Sequence, residues 1–87
     1  MANHPSAEKR ARQALKRRAR NRSAMSAVRT AIRKVETAVQ AQDKAAATAA
    51  LSVATSLLGR AADKGVLHKN TAGRRVSRLT LLVNGLG

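Results

Sequence analysis

The sequence contains no cysteine, phenylalanine, tyrosine or tryptophan, a single proline and only four acidic residues. Each shortage removes a class of protein. Without cysteine there is neither a disulfide framework nor a thiolate metal site. Without aromatic rings there is no stacking platform, the usual means of reading unpaired bases. The acids Glu8, Glu36, Asp43 and Asp63 are scattered, so no pair is placed to share acid–base chemistry. His4 and His68 have no acid or thiol at metal-ligand spacing. No glycine-rich loop follows a strand pattern, and 87 residues are too few to enclose a large pocket. No enzyme activity, cofactor, metal or small-molecule substrate is therefore expected. The longest uncharged stretch, Ala45 to Gly59, is short of the ~20 apolar residues of a membrane span. No signal-like apolar segment lies near the start. A soluble, cytoplasmic protein with no membrane partner is the expectation.

Positive charge is what the chain has. Eighteen Lys and Arg give a formal net charge of +14. Residues 1–34 carry a net +10, residues 35–63 a net −1 and residues 64–87 a net +5. Charge of this density calls for a polyanionic partner. The apolar fraction of 44% is half alanine. Ala, Arg, Lys and Leu favour helices but leave little to hold them together, so an all-α protein with a thin core is expected.

The helix signals divide the chain in three. Pro5 suits a first turn and Ser6 is a candidate N-cap, with Glu8 placed to interact with the helix dipole. Nothing then breaks the helix until about residue 41. After a short Gln40–Gln42 turn, Asp43 caps a second helix ending at Lys64. Gly65 takes the left-handed position after it, and Val66 packs back on Ala61. Asn70 or Thr71 caps a third helix that ends near Asn84. The expected elements are thus residues 6–41, 43–64 and 70–84 of one domain spanning 1–87.

Met25, Val28, Ile32, Val35 and Val39 form a 3-4-3-4 seam that suits an antiparallel neighbour. Ala47, Ala50, Leu51, Ala54, Leu57, Leu58 and Ala61 answer it, and Val76, Leu79, Leu82, Val83 and Leu86 supply the third helix. Two short turns between three such helices imply an up-down-up bundle. Traced backwards the seam runs into Asn21 and Arg18. Only the second half of the first helix can pack, and residues 6–23 extend beyond the bundle as a basic spike.

That spike carries Lys9, Arg10, Arg12, Lys16, Arg17, Arg18, Arg20 and Arg22. At 100° per residue these charges occupy every side of a helix. Pairs such as Arg12/Lys16 and Arg18/Arg22 place like charges at i,i+4, each costing a few tenths of a kcal/mol. The segment is frustrated in water, frays when free, and is relieved among phosphates. Nucleic-acid binding is the reading this supports. With no stacking platform, recognition rests on phosphates, sugar hydroxyls and the shape of folded helices. Candidate contacts are the spike residues with Asn21, then Ser26, Arg29, Thr30, Arg33 and Lys34. A second cluster comprises His68, Lys69, Asn70, Arg74, Arg75, Ser77 and Arg78. There a loop leads into a helix N-terminus, whose free N–H groups favour an anion.

The string Lys64-Gly65-Val66-Leu67-His68-Lys69-Asn70, continued by Ala72, Arg74, Ser77-Arg78-Leu79 and Asn84, resembles the S-twenty family of bacterial small-subunit ribosomal proteins. The opening Ala2-Asn3, Ser6-Ala7 and Lys9-Arg10, then Arg20-Asn21-Arg22, Ser26 and Thr30-Ala31-Ile32-Arg33-Lys34-Val35, extend the resemblance over essentially the whole chain. The resemblance implies a three-helix bundle with a long basic first helix. It also implies direct binding to 16S ribosomal RNA in the body of the small ribosomal subunit, assistance to RNA folding during assembly, and few or no protein neighbours. Pro5, Gly73, Val76, Leu81 and Leu82 depart from the family pattern. The last three stand where many members carry Lys or Arg, and are expected to enlarge the packed face instead of touching RNA. A nucleoid-type DNA-binding protein would share the charge but not the loop string. A membrane-active cationic helix would need an apolar face that residues 1–22 lack.

Overall fold

A computed structural model describes residues 5–86. Ala2 and Asn3 of the family-like opening, together with His4 and Gly87, lie outside them. The described residues form three helices and no strand: α1 over Pro5–Gln40, α2 over Lys44–Asp63 and α3 over Lys69–Asn84. This is the all-α, up-down-up bundle that the apolar spacing predicts. Packing is most extensive between α1 and α2, less so between α2 and α3, and least between α1 and α3.

Tight turns set the topology. At the end of α1 the Gln42 N–H donates to the Val39 carbonyl and the Asp43 N–H to the Ala38 carbonyl, both at 3.0 Å. This is a Schellman ending, and Gln42 takes its left-handed position at φ 57°. Asp43 then begins α2, its carboxylate accepting the Ala46 N–H at 3.1 Å. One residue thus closes one helix and opens the next, which folds α2 back along α1. The end of α2 repeats the device. Gly65 donates to Ala62 at 3.1 Å and Val66 to Ala61 at 2.9 Å, with Gly65 at φ 76°.

Two start signals fall differently from expectation. Ser6 is inside α1, which already includes Pro5. Proline at a first helical position sacrifices only an N–H that has no intrahelical partner. The cap of α3 is His68, not Asn70 or Thr71. Its Nδ1 accepts the Asn70 N–H at 3.1 Å, with His68 itself extended at φ −66°, ψ 140°. The ring nitrogen does the work of an Asx oxygen, so the helix starts earlier than the Asn or Thr signal implies.

The core consists of Val28, Ala31 and Val35 from α1, Ala47, Ala54, Leu58 and Ala61 from α2, and Ala72, Leu79 and Val83 from α3. Half of these residues are alanine, so the helices meet through small side chains. Ile32, Val39, Ala50, Leu51, Leu57, Val66, Val76 and Leu86 pack around them half-buried. Val76 joins the packed face as expected. Leu81 and Leu82 do not, being 69% and 47% exposed. With Leu79 and Val83 turned toward the core, positions 81 and 82 fall on the outer and lateral sides of α3. By length and composition α2 is apolar enough to cross a membrane, but its Ala and Leu stripe is spent on α1 and α3 and its other face carries Thr48, Ser52, Thr55 and Ser56, all exposed.

The overall extents are 68 × 21 × 13 Å and the radius of gyration is 17.6 Å. A compact domain of this length would have a radius of about 12 Å. The excess is α1, about 54 Å long, of which α2 covers only the second half.

Leu58 is fully buried, so Leu58→Ala should cost about 2–5 kcal/mol in denaturant unfolding, and half-buried Leu57→Ala distinctly less. The two left-handed turn positions should respond oppositely. Gly65→Ala meets no atom within 4 Å, yet should lose about 1–2 kcal/mol through backbone strain alone. Gln42→Gly should gain a similar amount by relieving it. Urea midpoints at constant m-value check all four.

Candidate nucleic-acid interface

Every residue from Ser6 to Ser23 is exposed. Lys9, Arg10, Arg12, Lys16, Arg17, Arg18, Arg20 and Arg22 therefore project from an uninterrupted rod that only the α2–α3 corner approaches, at its base. The rod is helical from its first turn, and its charges point in all directions, as the 100° spacing requires. Leu15 is 63% exposed among them, a single large apolar residue in a cationic sleeve.

Farther along α1 the buried seam claims one side and leaves the other as a stripe. Ser26, Arg29, Thr30 and Arg33 are exposed and lie away from Val28, Ala31 and Val35 in helical projection. They prolong the basic surface of the spike along the back of the bundle. Lys34 turns toward α2, lining a shallow groove with Ser26, Thr30, Val53 and Leu57. The Thr30 hydroxyl donates to the Ser26 carbonyl at 3.0 Å, so its proton is already committed and only its lone pairs face outward.

On α3 the second cluster separates into two faces. Asn70, Arg74, Ser77 and Arg78 are exposed and fall on one stripe opposite Ala72, Leu79 and Val83. Arg75 is half-buried and shares a groove with Ile32, Glu36, Arg78, Leu79 and Leu82 between α1 and α3. His68 and Lys69 border a hollow with Ala62, Gly65 and Leu67 at the α2–α3 corner. The His68 cap holds this corner, since the N–H of Asn70 is tied to the ring.

The fold adds one residue that the spacing does not reveal. Lys64 reads in the sequence as the end of a helix. In the structure it shares a hollow with Arg17, Arg20, Asn21 and Ser23 of α1, beside Val66, Ala24 and Ala27. Because α2 is antiparallel and about 30 Å long, its end arrives where the apolar seam of α1 gives out. Asn21, where the seam runs out, faces the α2–α3 corner together with Arg17, whereas Arg18 of the extended spacing does not line it. Only the Lys-Gly stop signal, combined with the helix lengths, could have placed Lys64 there.

Among the described residues, no group of three His, Cys, Asp or Glu side chains is placed to hold a metal. No buried side-chain polar atom lacks a partner among them either. Fold and surface together define a small cationic three-helix protein whose bundle serves as the base of a projecting basic rod.

Comparison with known proteins narrows this class. The family model described as Ribosomal protein S20 matches residues 2–84. Among curated relatives, proteins named small ribosomal subunit protein bS20 are 52% identical in Citrifermentans bemidjiense and 54% in Trichlorobacter lovleyi, each over 87 residues and the full length of both chains. The one from Laribacter hongkongensis is 55% identical over 86 residues, 99% of each chain. The chain belongs to the ribosomal protein S20 family, as its loop string and basic first helix indicate. It is accordingly a structural ribosomal protein and not an enzyme.

Since residues 6–23 are exposed along their whole length, with no buried side chain among them to slow their opening, amide exchange in the free protein should be fast there. From about residue 28 through α2 and α3 it should be slow. Exchange measured by NMR, residue by residue, checks this. Equal protection of both halves of α1 would contradict it.

Proposed function

We propose that this chain is a structural component of the small ribosomal subunit in the bacterial cytoplasm, and that it binds 16S ribosomal RNA directly and braces its folded segments during assembly. The curated relatives carry the name of that subunit. One observation supports direct RNA binding above the others. The first half of α1 is a helix charged on every side and exposed along its whole length. A rod of this kind is of use only among several polyanionic strands.

The mechanism is electrostatic cross-bracing. RNA segments that repel one another through their phosphates are brought together around Lys9, Arg10, Arg12, Lys16, Arg17, Arg18, Arg20 and Arg22. Arg contributes forked contacts to phosphate oxygens and Lys contributes compact point charge. The stripe of Ser26, Arg29, Thr30, Arg33 and Lys34 carries the contact along the bundle. Lys69, Asn70, Arg74, Ser77 and Arg78 fix its orientation from α3, with His68 holding the corner and Arg75 at the edge. Protein neighbours are few in this arrangement.

Neutralised phosphates release their counterions, so affinity falls steeply with salt. Replacing Arg17, Arg18, Arg20 and Arg22 together by Ala should weaken binding to 16S RNA. It should also reduce the slope of log affinity against log salt by about three, at ~0.7–0.9 for each phosphate left unneutralised. Filter binding from low to high salt measures it, and an unchanged slope would remove phosphate binding from this segment. Competition by duplex DNA at fixed salt separates this reading from a DNA-binding one, since folded 16S RNA should win.

A further inference from the structure

The hollow at the base of the rod differs from the rest of the cationic surface. The grooves that hold Lys34, Arg75 with Arg78, and Lys69 each draw their cations from a single element. Here three cations from two elements far apart in sequence, Arg17 and Arg20 of α1 and Lys64 at the end of α2, surround a concave surface. Two uncharged polar residues, Asn21 and Ser23, line it as well, and its floor is made of small or apolar side chains such as Ala27. The threonine hydroxyls of Thr30, Thr37, Thr48 and Thr80 each bond the carbonyl four residues earlier. Among the described residues, Asn21 and Ser23 make no such bond, so both keep donor and acceptor capacity outward.

We propose that this hollow is a binding site for one sugar–phosphate strand of RNA, read there as RNA and not merely as polyanion. Arg17, Arg20 and Lys64 hold consecutive phosphates. The small floor lets a ribose approach the helix, and Asn21 and Ser23 hydrogen-bond its 2′-hydroxyl, which both donates and accepts and is the group that distinguishes RNA from DNA. The hollow is also where the rod is backed by folded bundle, so a strand seated in it touches α1 and the α2–α3 corner at once. The strand thereby sets the angle between the RNA and the rod. This inference rests on the RNA-binding reading above and adds to it a place, a strand and a chemical preference.

The absence of cysteine from the chain permits a direct test on the whole protein bound to 16S RNA. Single variants Arg60→Cys and Asp63→Cys, exposed at the end of α2 beside the hollow but not lining it, and, as a reference on the outer rod, Gln13→Cys each carry tethered iron that cleaves nearby RNA by hydroxyl radicals. Arg60 and Asp63 should cleave the same short run of nucleotides and Gln13 a different one. Placing 2′-deoxy sugars at that run should weaken the unmodified protein several-fold. It should not further weaken the Asn21→Ala, Ser23→Ala double variant, whose salt slope should stay unchanged. Cleavage from Gln13 with silence from Arg60 and Asp63 would overturn the hollow site while leaving RNA binding intact. Equal weakening of both proteins by the deoxy sugars would overturn the role of Asn21 and Ser23. Failure of the unmodified protein to retain 16S RNA in filter binding would remove RNA binding itself.

Discussion

Mutual repulsion among the charges of the first helix is the constraint to which the rest of the molecule is fitted. Eight Lys and Arg residues lie between positions 9 and 22, with no acidic partner among them and no packed surface to offset their cost. The bundle does not supply that offset. Five of its ten buried residues are alanine, and each such burial removes little apolar area from water. A core this thin holds three helices in register and does little more. The rod therefore depends on its surroundings, and its sequence has the form of half an interface.

The bundle positions the rod with few residues. Two endings of the same type, at Gln42 and Gly65, reverse the chain within a few positions. Asp43 and His68 then open the following helices with side-chain caps. Each turn brings the next helix back along its predecessor, so the end of α2 is carried to the middle of α1. What results is a corner of mixed origin, where Lys64 stands beside residues more than forty positions earlier in the chain. Membership of the ribosomal protein S20 family accords with a molecule in which most of the apolar surface is used to aim charge.

Much of this was legible in the residues because helix periodicity is a local property. The seam from Val28 to Val39, the answering faces on the other helices apart from Leu82, and the glycine stop at Gly65 are read from spacing alone, and the structure has them; Met25 stays half-buried at the edge of the core. The misses arise where local chemistry allows several answers. An imidazole at residue 68 can cap as an Asx residue does, and Asn70 and Thr71 compete for the same role two and three positions on. Leu81 and Leu82 are apolar, but their place on α3 is decided by the stronger claim of Leu79 and Val83 to the core. A left-handed glutamine at residue 42 is disfavoured by its own propensity and is held there by the two hydrogen bonds around it. The candidate RNA-binding residues stand out by charge density. Their division into an outer stripe on α3, a lateral arginine and a hollow requires tertiary placement that spacing does not contain.

The rod and the buried seam belong to one unbroken helix, with no glycine, proline or hinge between Ser6 and Gln40. The azimuth of every exposed arginine is therefore indexed to the packing of Val28 and Val35, as the teeth of a key are indexed to its bow. Adding or removing one residue near Ala24 would leave composition, net charge and core nearly intact, yet turn the whole basic sleeve by about 100° relative to the bundle. Replacing one Arg by Lys along the sleeve costs one forked contact, whereas changing the number of residues that separate the sleeve from its anchor misdirects every such contact at once.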